Sequence, residues 1–346
     1  MIPIVPNAPA TTKRHQRHLS STPENAWLRF DRNVSRDLVH RTALAEVLIA
    51  DTVEVADDEF LVGTQLPRAH TLWSDRRYSY HDPLITIEVC RQACLVIPQR
   101  YYDVGPDWQF ISKQIDFTVV NLNAFTDTEI APPEGILRAR FSNKRERHGV
   151  LCGITVDSEL TIDGVSAGTV CGDLMFFPKG TYQRLRSHQR KSKPLDGTQP
   201  QNVPHPVDPA RVGRVFDSNV TIGDSEIAAS AVGEHRYVAI VDRKHPCFFD
   251  HPLDHIPGAL VIEVYRQAAI ATATAGGAAP AAAVATRCEV QLSDFAEFDA
   301  PAECSATVID QPDDGRVQIA LALHQFDTQI GSAHVELDFV PAAESR

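Results

Sequence analysis

Glu88-Val89-Cys90-Arg91-Gln92-Ala93 recurs as Glu263-Val264-Tyr265-Arg266-Gln267-Ala268, an offset of 175 residues, and this pair of stretches decides how the chain is organised. The same offset carries His70 onto His245 and Asp75 onto Asp250. Upstream, Val39-His40-Arg41 matches Val212-Gly213-Arg214, and Glu46 to Ile49 matches Asn219 to Ile222, with the offset reduced to 173 by a two-residue loop difference. Downstream, an alternating stretch from Ile162 to Phe176 parallels one from Phe326 to Phe339. Order and spacing persist across both halves, so the chain is a tandem repeat.

Each quoted stretch sits in an apolar segment of helical length. Asp82-Pro83 provides a helix start, and the first helix is expected to run to about Ile97, before Pro98. Pro257-Gly258 precedes the second, expected from about Ala259 to Ala275 and stopped by Gly276-Gly277. Both are apolar nearly all round, as a helix buried against a sheet must be. Strand character marks Phe60 to Leu66, Phe117 to Leu122, Val150 to Ile162, Thr169 to Phe177, Val317 to Leu323 and His334 to Phe339. Each repeat thus reads as two or three short strands, a long helix, and about three more strands. The fold class is α+β, a tandem (double) hot-dog in which an antiparallel sheet wraps each helix. The expected divisions are a disordered tail over 1–25, a first repeat over 26–183, a Pro-rich linker over 184–210 and a second repeat over 211–346.

The 346 residues carry a formal charge of −12, which argues against nucleic acid as a partner. No stretch is long and apolar enough to span a bilayer, and the first 22 residues lack the apolar segment of a secretory signal. Seven cysteines without paired spacing read as reduced core thiols of a cytoplasmic protein, with no metal site expected. The histidine-rich turn from His245 to His255 matches no usual zinc spacing.

The buried helices nevertheless carry charge. Glu263, Arg266 and Gln267 lie three and four residues apart on one face, as do Glu88, Arg91 and Gln92. Charges placed there need partners. One reading is an ion pair that ties the two halves together. The other makes Glu263 a general base whose pKa burial raises, with Arg266 holding an anionic group or an oxyanion. His251, Asp254 and His255 are expected to line the mouth of the site and contact substrate. No phosphate loop or dinucleotide fingerprint is present.

Pro257-Gly258-Ala259-Leu260-Val261-Ile262-Glu263 resembles the PGxLxxE motif of hot-dog beta-hydroxyacyl carrier-protein dehydratases. In those a histidine stands 14 positions before the glutamate, whereas this chain has Phe249 there. A closer resemblance runs from about Val39 to Phe339. Val39-His40-Arg41, Pro67-Arg68-Ala69-His70, Glu88 with Arg91-Gln92-Ala93, and Phe249-Asp250-His251-Pro252 through to Arg266-Gln267-Ala268 are similar to the A-factor biosynthesis (AfsA-like) family of gamma-butyrolactone synthases. That resemblance implies transfer of a beta-ketoacyl group from acyl carrier protein to a hydroxyl of dihydroxyacetone phosphate. Ring closure would then give a butenolide or furan signalling-molecule precursor. It implies Glu263, Arg266 and Glu88 as catalytic residues, with Arg91, Gln267 and Gln92 in support. It implies no cofactor beyond the phosphopantetheine of the carrier. For an acidic carrier, Arg138, Arg140, Lys144, Arg145 and Arg147 form one candidate patch. A hot-dog thioesterase or dehydratase, and a non-catalytic acyl- or lactone-binding protein, are the alternatives. Acyl length, and whether the chain forms a homodimer, are left open.

Overall fold

The computed structural model describes residues 27–76, 79–128, 130–195, 204–227, 229, 231–312 and 315–340; the expected tail over 1–25 lies outside them. The first repeat comprises β1 (Ile49–Ala56), β2 (Glu59–Gln65), α1 (Ile85–Tyr101), β3 (Gln109–Val119), β4 (Glu134–Arg147), β5 (Val150–Ile162) and β6 (Val165–Phe177). After α2 (Lys179–Lys191), the second comprises β7 (Ile222–Asp224), β8 (Glu234–Ala239), α3 (Gly258–Ala273), β9 (Ala283–Leu292), β10 (Glu303–Asp310), β11 (Val317–Gln325) and β12 (Thr328–Phe339). Four strands follow each long helix, one more than the periodicity suggested.

All twelve strands form one sheet in the order β1-β2-β4-β5-β6-β3-β9-β12-β11-β10-β8-β7. The order is symmetric about the β3–β9 pair, where Phe117 lies opposite Cys288 and Asp116 opposite Glu289. Two hot-dog units thus share a continuous sheet, with α1 and α3 on its covered face. Strands such as β11 alternate buried and half-buried residues without a break, the mark of a sheet with one covered face. The helices are buried along their length, from Ile85 to Pro98 and from Leu260 to Thr272. One large apolar core runs through both halves.

Two expectations need correction. Helix α1 does not stop before Pro98 but continues through it to Tyr101. A proline in the last turn forfeits one backbone bond and constrains the residue before it. Here Ile97 is fully buried, and the Tyr101 ring packs on Phe60 at 5.0 Å. Residues 184–191, read as the start of a linker, belong to α2. That helix is polar overall, so no apolar stripe announces it. It is held by charge instead: Arg186 donates to both Glu297 oxygens at 2.9 Å and through Nε to Asp254 at 3.0 Å, and stacks over Phe295 at 4.2 Å. Arg190 and Lys193 also bind Glu297, which is fully buried.

The repeats are tied to each other by a reciprocal exchange of caps. Asp75 of the first accepts hydrogen bonds from the Val215 and Phe216 amides (2.8 and 3.3 Å) and the Asn219 amide group (2.7 Å) of the second. Asp250 of the second accepts from the Thr42 and Ala43 amides of the first. Each aspartate therefore organises the loop that carries the other repeat's arginine. Asp75 is only 2% exposed, and its loss would take one acceptor from the buried Asn219 amide and the acceptor of two part-buried backbone amides. Asp75→Ala is expected to cost about 3 kcal/mol and lower Tm by roughly 4 °C in a calorimetric scan. A change under 1 °C would show that the exchange is not holding the halves.

Candidate active site

The face shared by Glu88, Arg91 and Gln92 meets a third element. Arg41, from the loop before β1, donates to Glu88 Oε1 at 2.6 Å. Arg91 binds side-on, Nε to Oε2 at 2.7 Å and Nη2 to Oε1 at 2.8 Å. Gln92 donates to the same Oε1 and to the Glu46 carbonyl, both at 2.7 Å, and accepts from the Leu48 amide at 2.9 Å. The second repeat reproduces every contact. Arg214 reaches Glu263 Oε1 through Nη2 at 2.9 Å, and Arg266 Nε reaches Oε2 at 2.9 Å. Gln267 donates to Glu263 and to the Asn219 carbonyl and accepts from the Thr221 amide at 2.8 Å.

This geometry overturns one expectation. Burial alone would raise the Glu263 carboxyl, but Arg214, Arg266 and the hydrogen bonds outweigh it and hold the group at about 2. Glu88 is likewise held well below the ordinary range by Arg41 and Arg91 against the effect of burial. Carboxylates so acidic, with most of their lone pairs engaged, are weak proton acceptors at neutral pH. They anchor the arginines.

The two clusters differ in what surrounds them. Asp82, at the start of α1, is buried and stands 4.0 Å from Arg266 Nη1. The equivalent position in the second repeat is Pro257, so Arg91 has no such carboxylate. The Arg91 side chain is 21% exposed and Arg266 5%. A cavity of about 1270 Å³ opens on this difference, lined by Glu88, Arg91, Arg41, His40, His251, Asp254, His255 and Glu263. Arg266, Gln267 and Gln92 do not line it. Its apolar reaches run under α1, along Cys90, Cys94, Val156 and Val170, and under α3, along Val261, Ile262, Leu323 and Ile330. Gly258 and Ala259 line it at the start of α3, where a helix's first amides have no internal acceptor.

His251 comes from the second repeat but faces the first-repeat cluster. Burial first, then Arg41 and Arg91, push its imidazole below the ordinary value, while Asp250 pulls it back. Its Nδ1 is 3.7 Å from Asp250 Oδ2, an electrostatic contact beyond hydrogen-bonding reach. His255 pairs with Asp254 at 2.7 Å, and Tyr182 of α2 donates to the same carboxylate at 3.0 Å.

Sequence reading passed over His40. It adopts a left-handed conformation with φ of 50°, where its repeat mate is Gly213 at 69°. A non-glycine residue kept at such a position in the cavity wall points to use. Burial, Arg91 and His251 pull its imidazole down to about 4, so it is neutral at pH 7. The available signal was the pairing of histidine with glycine in the repeat alignment. Glu46, His70 and Cys247 also converge, with donor atoms within 4.8 Å of one another. His70 Nδ1 accepts the Leu72 and Trp73 amides, which leaves the proton on Nε2, facing Glu46 at 3.3 Å. A cation would have to displace that proton, so the donor set does not suit one.

A double hot-dog whose halves enclose an apolar cavity with a guanidinium at its polar end is the class these features define. The chain belongs to the A-factor biosynthesis hot-dog family, whose profile matches residues 23–178 and again 195–341. It is an enzyme of that family. It is 30% identical over 299 residues to a 2-oxo-3-(phosphooxy)propyl 3-oxoalkanoate synthase of Streptomyces virginiae, covering 86% of this chain and 95% of the relative. A synthase of the same name from Streptomyces griseus is 27% identical, covering 84% and 91%. Among solved structures, a 12:0-ACP thioesterase from Umbellularia californica is similar at a TM-score of 0.45 and 10% identity, over 81% of this chain and 94% of that one.

The depressed carboxyl has a measurable consequence. Glu263 stays ionised in the folded protein down to about 2, whereas the unfolded chain takes up its proton near 4.5. Protonation in that window favours the unfolded state, so stability should fall as pH drops from about 4.5 towards 2. Urea midpoints at pH 7, 4 and 3 would follow this. Glu263→Gln should be less stable at pH 7 and lose part of that slope; an unchanged slope would mean Glu263 is not the group responsible.

Proposed function

We propose that the protein transfers a 3-oxoacyl (beta-ketoacyl) group from the phosphopantetheine of an acyl carrier protein to a hydroxyl of dihydroxyacetone phosphate. The observation that carries this reading is Arg91. It is fixed by Glu88, lacks the second carboxylate given to Arg266, and opens onto a cavity with apolar reaches for an acyl chain. A guanidinium so placed suits a phosphate. The activity for which the relatives are named, synthesis of a phosphooxypropyl ester of a 3-oxoalkanoate, fits both ends of that cavity.

In this reading the phosphate sits on Arg91 and the acyl chain lies under α1. The acceptor hydroxyl attacks the thioester carbonyl while His251 Nε2 takes the hydroxyl proton. The resulting oxyanion is held by the Gly258 and Ala259 amides. Collapse breaks the C–S bond, and the imidazolium returns its proton to the leaving thiolate. The products are the ester and the free carrier thiol. The step needs neither metal nor organic cofactor, since the carrier's own arm activates the acyl group. Seven free thiols suit a reducing compartment, and we place the enzyme in the cytoplasm.

Steady-state kinetics with a 3-oxoacyl pantetheine thioester and dihydroxyacetone phosphate test the assignment. Arg91→Gln should raise KM for the phosphate substrate roughly 10–100-fold. Arg266→Gln should mainly lower Tm. Equal KM effects in both variants, or acyl release without the acceptor, would refute transfer at Arg91.

The proton acceptor has a separate signature. His251 must be neutral to act, and its pKa is lowered, so kcat/KM should rise with pH along an acid limb below about 6.5. His251→Gln should reduce kcat roughly 10²–10⁴-fold and abolish the limb. A limb that survives the substitution would assign the proton elsewhere.

A further inference from the structure

Helix α2 contains Lys179, Arg184, Arg186, Arg190 and Lys191, together with His188, and no aspartate or glutamate, in a chain whose net charge is −12. Helix stability does not account for this composition. Basic residues help the last turn of a helix, but Lys179 opens the first turn, where acidic residues are the favourable ones and none is present. The helix is two-faced. Tyr182, Leu185 and Gln189 line the cavity, and Arg186 and Arg190 point to Glu297. The other face exposes Arg184, Ser187, His188 and Lys191 around a shallow depression. Among the described residues, no carboxylate lies within ion-pair distance of Lys179, Arg184 or Lys191.

Four of the five β4 cations differ. Arg138 and Arg140 share Glu59, Lys144 binds Asp58 and Arg145 binds Asp173. The β4 patch suggested by sequence is therefore largely neutralised by its own neighbours. The α2 stripe is not, and it leads to the cavity: Lys179 and Lys113 are exposed and also line its wall.

We infer that the outer face of α2 is the docking surface for the acyl donor's protein, an acidic carrier bearing a phosphopantetheine arm. Arg184 and Lys191 meet acidic residues of the carrier. Lys113 and Lys179 face the phosphodiester at the root of the arm, which enters along Tyr182 and Leu185. This rests on the reading that the donor is a carrier-bound thioester. The clamp of Arg186, Arg190 and Lys193 on Glu297 keeps the helix seated while its free face binds.

The test compares two donors with one acyl group, the 3-oxoacyl carrier protein and the 3-oxoacyl pantetheine thioester, in wild type and Arg184→Glu/Lys191→Glu. Fluorescence anisotropy of labelled phosphopantetheinyl carrier measures binding without turnover. The double variant should weaken carrier binding and raise KM for the carrier-bound donor at least 10-fold, leaving both constants for the pantetheine thioester within 2-fold. Arg184→Gln/Lys191→Gln should give an intermediate shift at wild-type Tm. Carrier affinity that is absent in wild type, unchanged in the variants, or matched by anionic vesicles or single-stranded DNA would overturn the docking surface. Absence of transfer from either donor would instead overturn the proposed reaction, with the anisotropy still deciding the docking.

Discussion

The whole arrangement depends on a buried carboxylate held between two guanidinium groups, once in each half. Neither Glu88 nor Glu263 could remain charged beneath a sheet without its arginines, and neither pair of arginines could stay buried without the glutamate. One arginine of each pair comes from the central helix and the other from the loop before the first strand. The glutamine one position beyond the helical arginine then bonds the backbone of that same entering segment. The cluster thus fixes where the outer edge of the sheet meets the helix. The opposite repeat completes it, since Arg41 also donates to the Cys247 carbonyl and Arg214 to the Leu72 and Asp75 carbonyls.

Against this common frame, a few local differences leave the helical arginine of the first cluster open to the cavity and that of the second away from it. Asp82 stands 4.0 Å from Arg266 in the second cluster, while Pro257 at the matching position gives Arg91 no such carboxylate. His251 stands where the other repeat has Arg76, which is engaged with Asp127 at 2.9 Å. His40 stands where the other has Gly213, and there an added Cβ would come within 2.9 Å of the Pro280 carbonyl. Each difference moves exposure, neutral imidazole or polar capacity toward the first-repeat cluster. Its groups nevertheless come from both halves.

The repeat, the buried helices and the double hot-dog were legible in the sequence because each rests on periodicity, which a linear chain displays directly. The carboxylate–guanidinium–amide faces were legible for the same reason. Other features were not. Arg41 and Arg214 lie far from their glutamates in sequence, so the downward pull on Glu263 could not outweigh burial until they were in place. Helix α2 has no apolar stripe, because Arg186 and Arg190 seat it by charge on Glu297 more than 100 residues away. The prominence of Glu263 and Arg266 followed from the PGxLxxE resemblance. The second carboxylate beside Arg266 is Asp82, which pairs with nothing recognisable in a linear reading.

The exchange of Asp75 and Asp250 across the halves has a consequence for how such a chain can change. Two identical subunits related by a twofold axis would have identical sites, and every substitution would alter both at once. Joining the copies in one polypeptide removes that constraint while the crossed caps keep the old interface obligatory. One copy can then give up its opening and become scaffold, and the other can collect residues from both sides. Fusion here is a licence for division of labour, and the aspartates join the shared sheet and core in holding the two partners together afterwards.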